Sequence, residues 1–209
     1  MTKPEASIAR LWRVTQAFIA GHPALAAFDE GGLTGADPLP YRAETPRSLP
    51  VCAEIAAARA HAAPATRAVV EAVLAAAPAL AWRQSYTAAQ VGEAFLAHYG
   101  WFNLAAPDGP FVHPKRRLAF GYWAMGLHYP RHWHRPAEIY AVLAGSALFL
   151  TDGREDLRLG PGGTTTHPPD LPHAAMMDQA PLMAFGIWKG EGLTENPTLP
   201  QPVAEGVRG

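Results

Sequence analysis

Short apolar runs separated by glycine, proline and aspartate fill the second half of this chain, and they constrain its fold more than any other feature. From Phe111 onward the runs are LAFGYWAMGL, EIYAVLAG, SALFLTDG, GGTTTH and PLMAFGIW. Runs of this length at such close spacing are typical of antiparallel strands in a sandwich or a barrel. The sequence therefore predicts a mainly β fold for this half.

The first half of the chain has the residue spacing of helices instead. Apolar residues recur at intervals of about 3.6 residues over residues 5–20, and His22-Pro23 ends that pattern. A second helix is predicted over residues 66–77, and a third begins after Thr87 and ends at Gly100. We expect these helices to form a packing layer or a dimer surface.

The change in texture suggests how the chain is organised. Residues 29–50 lack periodicity and contain many Gly, Pro and Asp residues, so we interpret them as a loop within the helical half. We expect an N-terminal helical segment over residues 1–105 that packs on a β-barrel domain over residues 106–209. Most of the histidines fall in the barrel domain, so we expect the metal site to lie there.

Composition excludes several classes of protein. About half of the 209 residues (49%) are hydrophobic, which is enough for a sizeable core. The net charge is −1 and no long Lys/Arg run is present, so we expect no nucleic-acid partner. Cys52 has no second cysteine to pair with, and the most apolar run, residues 72–82, is too short to cross a membrane. We expect a cytoplasmic protein without a membrane partner.

Histidine and glutamate residues in the β half have the spacing of a metal site. His132 and His134 are two residues apart, so both imidazoles point to the same side of an extended strand. If residues 135–137 form a turn, Glu138 returns to the same cavity, and His173 could complete the set from another strand. Two or three imidazoles with one carboxylate suit a catalytic Zn, Fe(II), Mn, Ni or Co ion.

The full spacing around these ligands resembles the first motif of the cupin superfamily. It runs from Gly126 through five residues to His132-x-His134, then three residues to Glu138 and six to Gly145. This resemblance implies a cupin barrel, a jelly-roll-like double-stranded β-helix, behind the N-terminal helical segment. It also implies that the two glycines mark the ends of the motif.

A second cupin motif follows, with two departures from the usual pattern. It runs from Gly162 through five residues to Pro168-x-Asp170, then two residues to His173 and three to Met177. A glycine is common at the position of Asp170, and an asparagine is common at the position of Met177. Neither position supplies a metal ligand, so the departures concern the geometry of a turn rather than the metal site.

Among cupins, the chain resembles the bacterial dimethylsulfoniopropionate (DMSP) lyases most. That family carries the run Y-x-x-H-x-H-x-x-x-E-x-Y, followed by a later histidine and tryptophan. The matching residues here are Tyr129, His132, His134, Glu138, Tyr140, His173 and Trp188. The resemblance implies a divalent metal held by His134, Glu138 and His173, with His132 beside it. It also implies a β-elimination that yields dimethyl sulfide and acrylate.

Tyrosine is the residue that we expect to act as the base. The substrate is a zwitterion, and elimination removes a proton next to its carboxylate while the sulfonium leaves as a neutral sulfide. A metal that binds the carboxylate would lower the pKa of a nearby phenol from its usual value near 10. We favour Tyr140 over Tyr129, because Tyr140 is an even number of residues from His134 and Glu138 and so points to the same side of an extended strand. His132 is expected to bind metal, to position substrate or to share the proton.

Aromatic side chains are the expected partners of the sulfonium, because it has no hydrogen to donate and is held best by cation–π attraction. The candidates are Trp188, Tyr122, Trp123 and Trp133. Ala184 and Gly186 share a face with Trp188, which would leave room for a small ligand. Trp188 could equally be a core residue of the barrel.

Other polar residues near the motifs receive less weight. Arg131 and Lys189 are near enough in sequence to bind a substrate carboxylate, although cations at strand ends are usually solvated. His128 and His167 lie beside motif positions without matching a ligand position. We expect these two histidines to contact the metal ligands without binding the metal, or to support the structure.

Two other functions are compatible with this sequence. A cupin dioxygenase uses a similar ligand set with Fe(II), and oxygen consumption would distinguish it from a lyase. A non-catalytic cupin would bind a small molecule, although an intact ligand set is evidence against it. In each case the partner is a small molecule, and cupins often pair through their sheets, so we also expect a homodimer.

Overall fold

The computed structural model describes residues 2–35 and 38–200. Five α-helices precede the strands in this part of the chain: α1 (Lys3–Gly21), α2 (Pro23–Asp29), α3 (Pro64–Ala76), α4 (Ala88–Val91) and α5 (Glu93–Ala97). Short stretches of 3-10 helix cover Pro50–Ala53, Ile55–His61 and Ala77–Ala79. In the described residues, every helix is too short or too polar to span a bilayer.

Ten strands follow the helices. They are β1 (Tyr99–Ala106), β2 (Phe111–Val112), β3 (Arg116–Trp123), β4 (His128–His132), β5 (Ala137–Gly145), β6 (Ala147–Thr151), β7 (Leu157–Leu159), β8 (Thr164–His167), β9 (His173–Met176) and β10 (Leu182–Lys189). One sheet has the order β2-β1-β3-β10-β5-β8 and the other the order β4-β9-β6-β7. The pairings are antiparallel except for that of β1 with β2. The predicted mainly β cupin barrel with an N-terminal helical segment is confirmed.

The first two predicted helices form close to their expected limits. Thr2 caps α1 in a capping box with Glu5, and the helix ends before His22. Pro23 then begins α2, because proline is well tolerated in the first turn of a helix. Helix α3 is the second predicted helix, and it packs against α1. The apolar spacing therefore correctly predicted a buried face on each of these two helices.

The third predicted helix is wrong in its second part. Gly92 has a φ of 84°, which interrupts the helix between α4 and α5. Tyr99 was expected on the helical face, but it starts β1 and pairs with Trp123 of β3. The barrel sheet thus begins at Tyr99, before the boundary expected at residue 105. Tertiary pairing decided the conformation, because a tyrosine fits a strand as well as a helix.

The larger sheet is buried on both faces, and this arrangement positions the site. Strand β3 shows the alternation that the two faces require. Its residues on the helical side are Leu118, Phe120 and Tyr122, and those that face the barrel cavity are Arg117, Ala119, Gly121 and Trp123. The helical segment therefore covers one face, and chemistry is confined to the other.

Gly145, the last residue of the first motif, occupies a place that no other residue fits. Its φ is 73°, and a Cβ atom added to it would lie 1.5 Å from the carbonyl oxygen of Pro181. The motif therefore ends in glycine for two physical reasons, the backbone conformation and the approach of the chain before β10. Asp170 has a φ of 58°, so the position where cupins commonly have glycine is left-handed here too. Aspartate tolerates that conformation better than most residues do.

We expect Gly145→Ala to destabilise the protein more than Gly153→Ala. Gly153 has a φ of 72° but nothing within 4 Å of an added Cβ atom, so its replacement isolates the backbone cost of about 1–2 kcal/mol. At Gly145 the clash adds at least about 2 kcal/mol. Urea denaturation of both variants measures the difference in unfolding free energy. Equal losses would mean that the carbonyl of Pro181 moves away without cost.

Candidate functional site

Strand register brings five polar side chains together inside the barrel. His132 of β4 pairs with His173 of β9, and Glu138 of β5 pairs with His167 of β8. His134 lies in the turn between β4 and β5, where its carbonyl accepts a hydrogen bond from the amide of Asp170. All five side chains are buried. The convergence expected for His132, His134, Glu138 and His173 is therefore present in the structure, with His167 added to it.

Three of the histidines direct their Nε2 atoms into this cluster. Nδ1 lies 2.8 Å from the carbonyl of Pro130 in His132, 2.9 Å from that of Pro136 in His134, and 2.8 Å from that of Leu171 in His173. A carbonyl only accepts, so each Nδ1 carries a hydrogen, and Nε2 has the lone pair whenever the ring is uncharged. This is how metal-binding histidines are usually oriented.

The cluster therefore fits a metal ion by the chemistry of its donors. Ligand atoms of His132, His134 and His173 lie within 4.8 Å of one another, and so do those of Glu138, His167 and His173. Among residues 2–35 and 38–200, the Nε2 atoms of His167 and His173 are buried without a hydrogen-bond partner. Buried nitrogens are normally paired, so two unpaired ones side by side indicate a missing ligand atom. The cluster could hold a metal ion.

Glu138 is the negative charge at the centre of the site. Its side chain is 2% exposed, and its oxygens accept hydrogen bonds from His167 Nδ1 at 3.0 Å and from Trp188 Nε1. His134 Nε2 lies 3.2 Å from Oε2. Burial raises the pKa of Glu138, but the charge of His134 and the hydrogen bonds with His134 and His167 outweigh burial and hold the pKa well below its usual value. Glu138 is therefore ionised at neutral pH.

Glycine makes room for this carboxylate. Gly186 of β10 lies opposite Tyr140 in the register, and a Cβ atom added to it would lie 2.9 Å from Oε1 of Glu138. Gly186 was expected to leave room for a ligand below Trp188. In the structure the side chain of Glu138 fills that room beneath the indole.

Burial keeps His132 and His173 neutral. It lowers the pKa of His132 to about 4, and it lowers that of His173 well below the usual value with a further contribution from His132. At His134 burial also lowers the pKa, but the charge of Glu138 outweighs it and the net pKa is raised. His132 and His173 therefore offer uncharged nitrogens at pH 7, the form that binds metals.

Both predicted base candidates border the cavity but differ in their surroundings. Tyr140 is partly buried and faces Glu138. Burial, and next the charge of Glu138, raise its pKa well above 10. Tyr129 is packed among aromatic rings, and its hydroxyl receives a hydrogen bond from Tyr86 at 3.2 Å. Burial, followed by Tyr86, raises its pKa well above 10 as well. Neither phenol would ionise near neutral pH without a neighbouring positive charge.

The aromatic residues expected to hold a sulfonium are divided by strand alternation. Trp188 lines the cavity, but His134 lies 4.3 Å from its ring and the guanidinium of Arg117 lies 4.4 Å from it. Tyr122 lies on the opposite face of β3, in the core below the helices, because its neighbour Trp123 takes the inward position. Trp133 is not among the cavity residues, and its backbone pairs with that of Thr198. The structure thus places Trp188 and Trp123 at the site, and Tyr122 and Trp133 outside it.

Two residues of the candidate site were missed or undervalued in the sequence. His167 was expected to support the metal ligands or the structure, and its Nδ1 does donate to Glu138, while its ring stacks on that of His173 with centroids 3.8 Å apart. Its spacing matches no ligand position, so only the pairing of β5 with β8 could have shown it. Arg117 was not singled out, although it points to the same face of β3 as Trp123. Most arginines at strand ends are solvated, so the sequence did not distinguish Arg117 from them.

We expect Glu138→Gln to destabilise the metal-depleted protein at pH 7 by about 3 kcal/mol, because it removes one charge of a buried pair. The pKa of Glu138 is lowered by folding, so its stabilisation is present above the unfolded value near 4 and is lost as the pH falls further. Denaturation at pH 7 and below pH 4 measures this. Glu71→Gln, which removes a surface partner of Arg59, is the control and should change little. An unchanged stability of Glu138→Gln at pH 7 would contradict the expectation.

Comparisons with known proteins show the family of this chain. The model of the DMSP lyase family (dimethylsulfoniopropionate lyase) matches residues 34–184. The curated dimethylsulfoniopropionate lyase DddQ of Ruegeria pomeroyi is 33% identical over 205 residues, which cover 98% of this chain and all of that protein.

Solved structures of DMSP lyases have the same fold along nearly the whole chain. A chain described among the DMSP lyases RdDddP and RnDddQII is 35% identical with a TM-score of 0.89, covering 95% of this chain and 100% of the other. The crystal structure of DddQ from Ruegeria pomeroyi is 33% identical with a TM-score of 0.86, covering 96% and 99%. The protein therefore belongs to the dimethylsulfoniopropionate lyase family.

Proposed function

We propose that this protein is a metal-dependent lyase that cleaves dimethylsulfoniopropionate by β-elimination into dimethyl sulfide and acrylate. The observation that carries the proposal is the buried cluster of His132, His134, Glu138 and His173, which borders the same cavity as Tyr140. Membership of the DMSP lyase family supports this substrate. A tyrosine beside an open metal site suits proton removal.

We infer that His134, Glu138 and His173 hold the metal, with His132 as a further ligand or as a partner in proton transfer. His167 competes for this role, because it belongs to a second group of potential ligands with Glu138 and His173. A divalent cation bound here would supply a Lewis acid that stabilises negative charge on the substrate carboxylate and lowers the pKa of a nearby phenol. The bound cation would supply the positive charge that Tyr140 requires in order to ionise near neutral pH.

Tyr140 is the proposed base. Its phenolate would take the proton from the carbon next to the substrate carboxylate. The electron pair of that C–H bond forms the double bond of acrylate, and the C–S bond breaks as dimethyl sulfide leaves with its electrons. The leaving sulfide is neutral, so no general acid is required. Tyr129 is packed in the aromatic cluster and is more buried than Tyr140, which makes it the weaker candidate.

Aromatic packing around the cavity supports the same reaction. Tyr99, Trp123 and Tyr129 lie against one another with ring centroids 5.4–5.6 Å apart. Such faces attract a sulfonium and exclude water from the region where the carbanion-like charge develops. The homodimer expected from the sequence stays a prediction.

We expect the metal-loaded protein to release dimethyl sulfide from dimethylsulfoniopropionate. Gas chromatography of the headspace measures the product, and removal of the metal with a chelator should abolish release until Zn, Fe(II), Mn, Co or Ni is restored. His173→Asn should lower metal content and activity together, whereas Arg10→Gln at an exposed helix position serves as the matched surface control. Absence of dimethyl sulfide with all five metals would refute the proposal. Oxygen consumption in its place would indicate a dioxygenase.

Replacing Tyr140 with phenylalanine separates the base from the metal site. We expect Tyr140→Phe to reduce kcat at least about 100-fold, because a general base commonly contributes that much or more. Metal content, measured by mass spectrometry, should stay the same. Tyr129→Phe should retain more activity than Tyr140→Phe. If the two variants lose activity in the reverse order, Tyr129 is the base.

A further inference from the structure

Arg117 is a cation built into the wall of the cavity. It belongs to β3, where it pairs in register with Trp188 of β10, and its side chain is 5% exposed. Its guanidinium lies 4.4 Å from the ring of Trp188 and 4.5 Å from that of Trp101. Two indoles therefore fix the plane and the position of the charge.

No carboxylate lies within 4.0 Å of this guanidinium among residues 2–35 and 38–200. Its Nε donates to Oδ1 of Asn103 at 3.0 Å, and its Nη1 donates to the carbonyls of Leu193 and Glu195 at 3.4 and 3.3 Å. Nη2 has no hydrogen-bond partner within the same residues. A buried cation without an acid is costly, so a purely structural role explains Arg117 poorly.

Other cations near the cavity are already paired with acids. Arg83 contacts Glu44 and Asp108, and Arg135 contacts Glu191 and Glu195. Arg131 pairs with Asp152, and Lys189 pairs with Glu30. The two cations that the sequence suggested for the substrate carboxylate are thus engaged on the surface. In the described part of the chain, Arg117 is the only arginine or lysine that lines this cavity.

A second part of the cavity wall, around Trp123 of β3, has a different character. Tyr99, Trp123, Tyr129 and Tyr140 line it with aromatic faces and hydroxyl groups. A sulfonium near Trp188 would face the like charge of Arg117, whereas the aromatic wall offers cation–π attraction without that repulsion. The cavity is therefore polarised from Arg117 towards the tyrosines.

We propose that Arg117 recognises the carboxylate of the substrate and thereby sets the direction in which a sulfonium carboxylate lies in the cavity. The carboxylate is held by Arg117, and the sulfonium is held by Tyr99, Trp123 and Tyr129. Arg117 is thus a specificity-determining residue, and it selects a negatively charged end group over a neutral one. This inference rests on the proposed function for its substrate.

The test compares dimethylsulfoniopropionate with its primary amide, which has the same shape but a neutral end. We expect Arg117→Met to lower kcat/KM for the acid about 10- to 100-fold, the usual value of a charge-assisted hydrogen bond. The amide should change less than about threefold. Arg117→Lys keeps the charge and should keep part of the preference. Circular dichroism and thermal melting establish that the variants fold.

A control variant separates recognition from anchoring of the C-terminal segment. Arg135→Gln loosens the contacts with Glu191 and Glu195 but leaves the cavity charge in place, so the preference for the acid should not change. Equal losses with acid and amide in Arg117→Met, or a matching loss of preference in Arg135→Gln, would overturn the proposal.

Calorimetry keeps this test independent of turnover. Acrylate should bind the wild-type protein more tightly than acrylamide, and Arg117→Met should reduce that difference about 10-fold or more. If the wild-type protein fails to cleave dimethylsulfoniopropionate, the proposed function is wrong, while the calorimetric comparison still decides the role of Arg117. A reduced difference would support carboxylate recognition, and an unchanged difference in Arg117→Met would refute it.

Discussion

The buried carboxylate of Glu138 is the interaction on which the site depends. It is held by hydrogen bonds from His167 and Trp188 and by the charge of His134, and these partners come from three different parts of the chain. A lone carboxylate at this depth would be protonated or would destabilise the fold, whereas this one stays ionised. Gly186 completes the arrangement by leaving space for the carboxylate.

The two-faced burial of the larger sheet explains why a helical segment accompanies this barrel. An antiparallel sheet can leave one face in water, but here the outward face of β3 and its neighbours is apolar and packs below the helices. The inward face is then free to carry polar and aromatic side chains. Arg117 and Tyr122 lie near each other in sequence yet serve these two different surfaces.

Sequence patterns predicted the features that depend on local spacing. The two-residue spacing of His132 and His134, the turn before Glu138 and the glycine at Gly145 all follow from backbone geometry, and the spacing of the second cupin motif added His173. Other contacts between distant strands could not be predicted. The approach of His167 depends on the pairing of β5 with β8, and the inward direction of Arg117 depends on which face the helices cover.

The hydrogen bonds from His132, His134 and His173 to carbonyls two residues away have a thermodynamic consequence. Each imidazole is oriented by its own stretch of backbone, so its rotational freedom is lost when the strands fold. Binding of an ion or of a substrate then carries little of that entropic cost, and affinity is gained through preorganisation. The folding of the barrel therefore contributes to the affinity of the site for an ion or a substrate, because folding has already fixed the orientation of the three imidazoles.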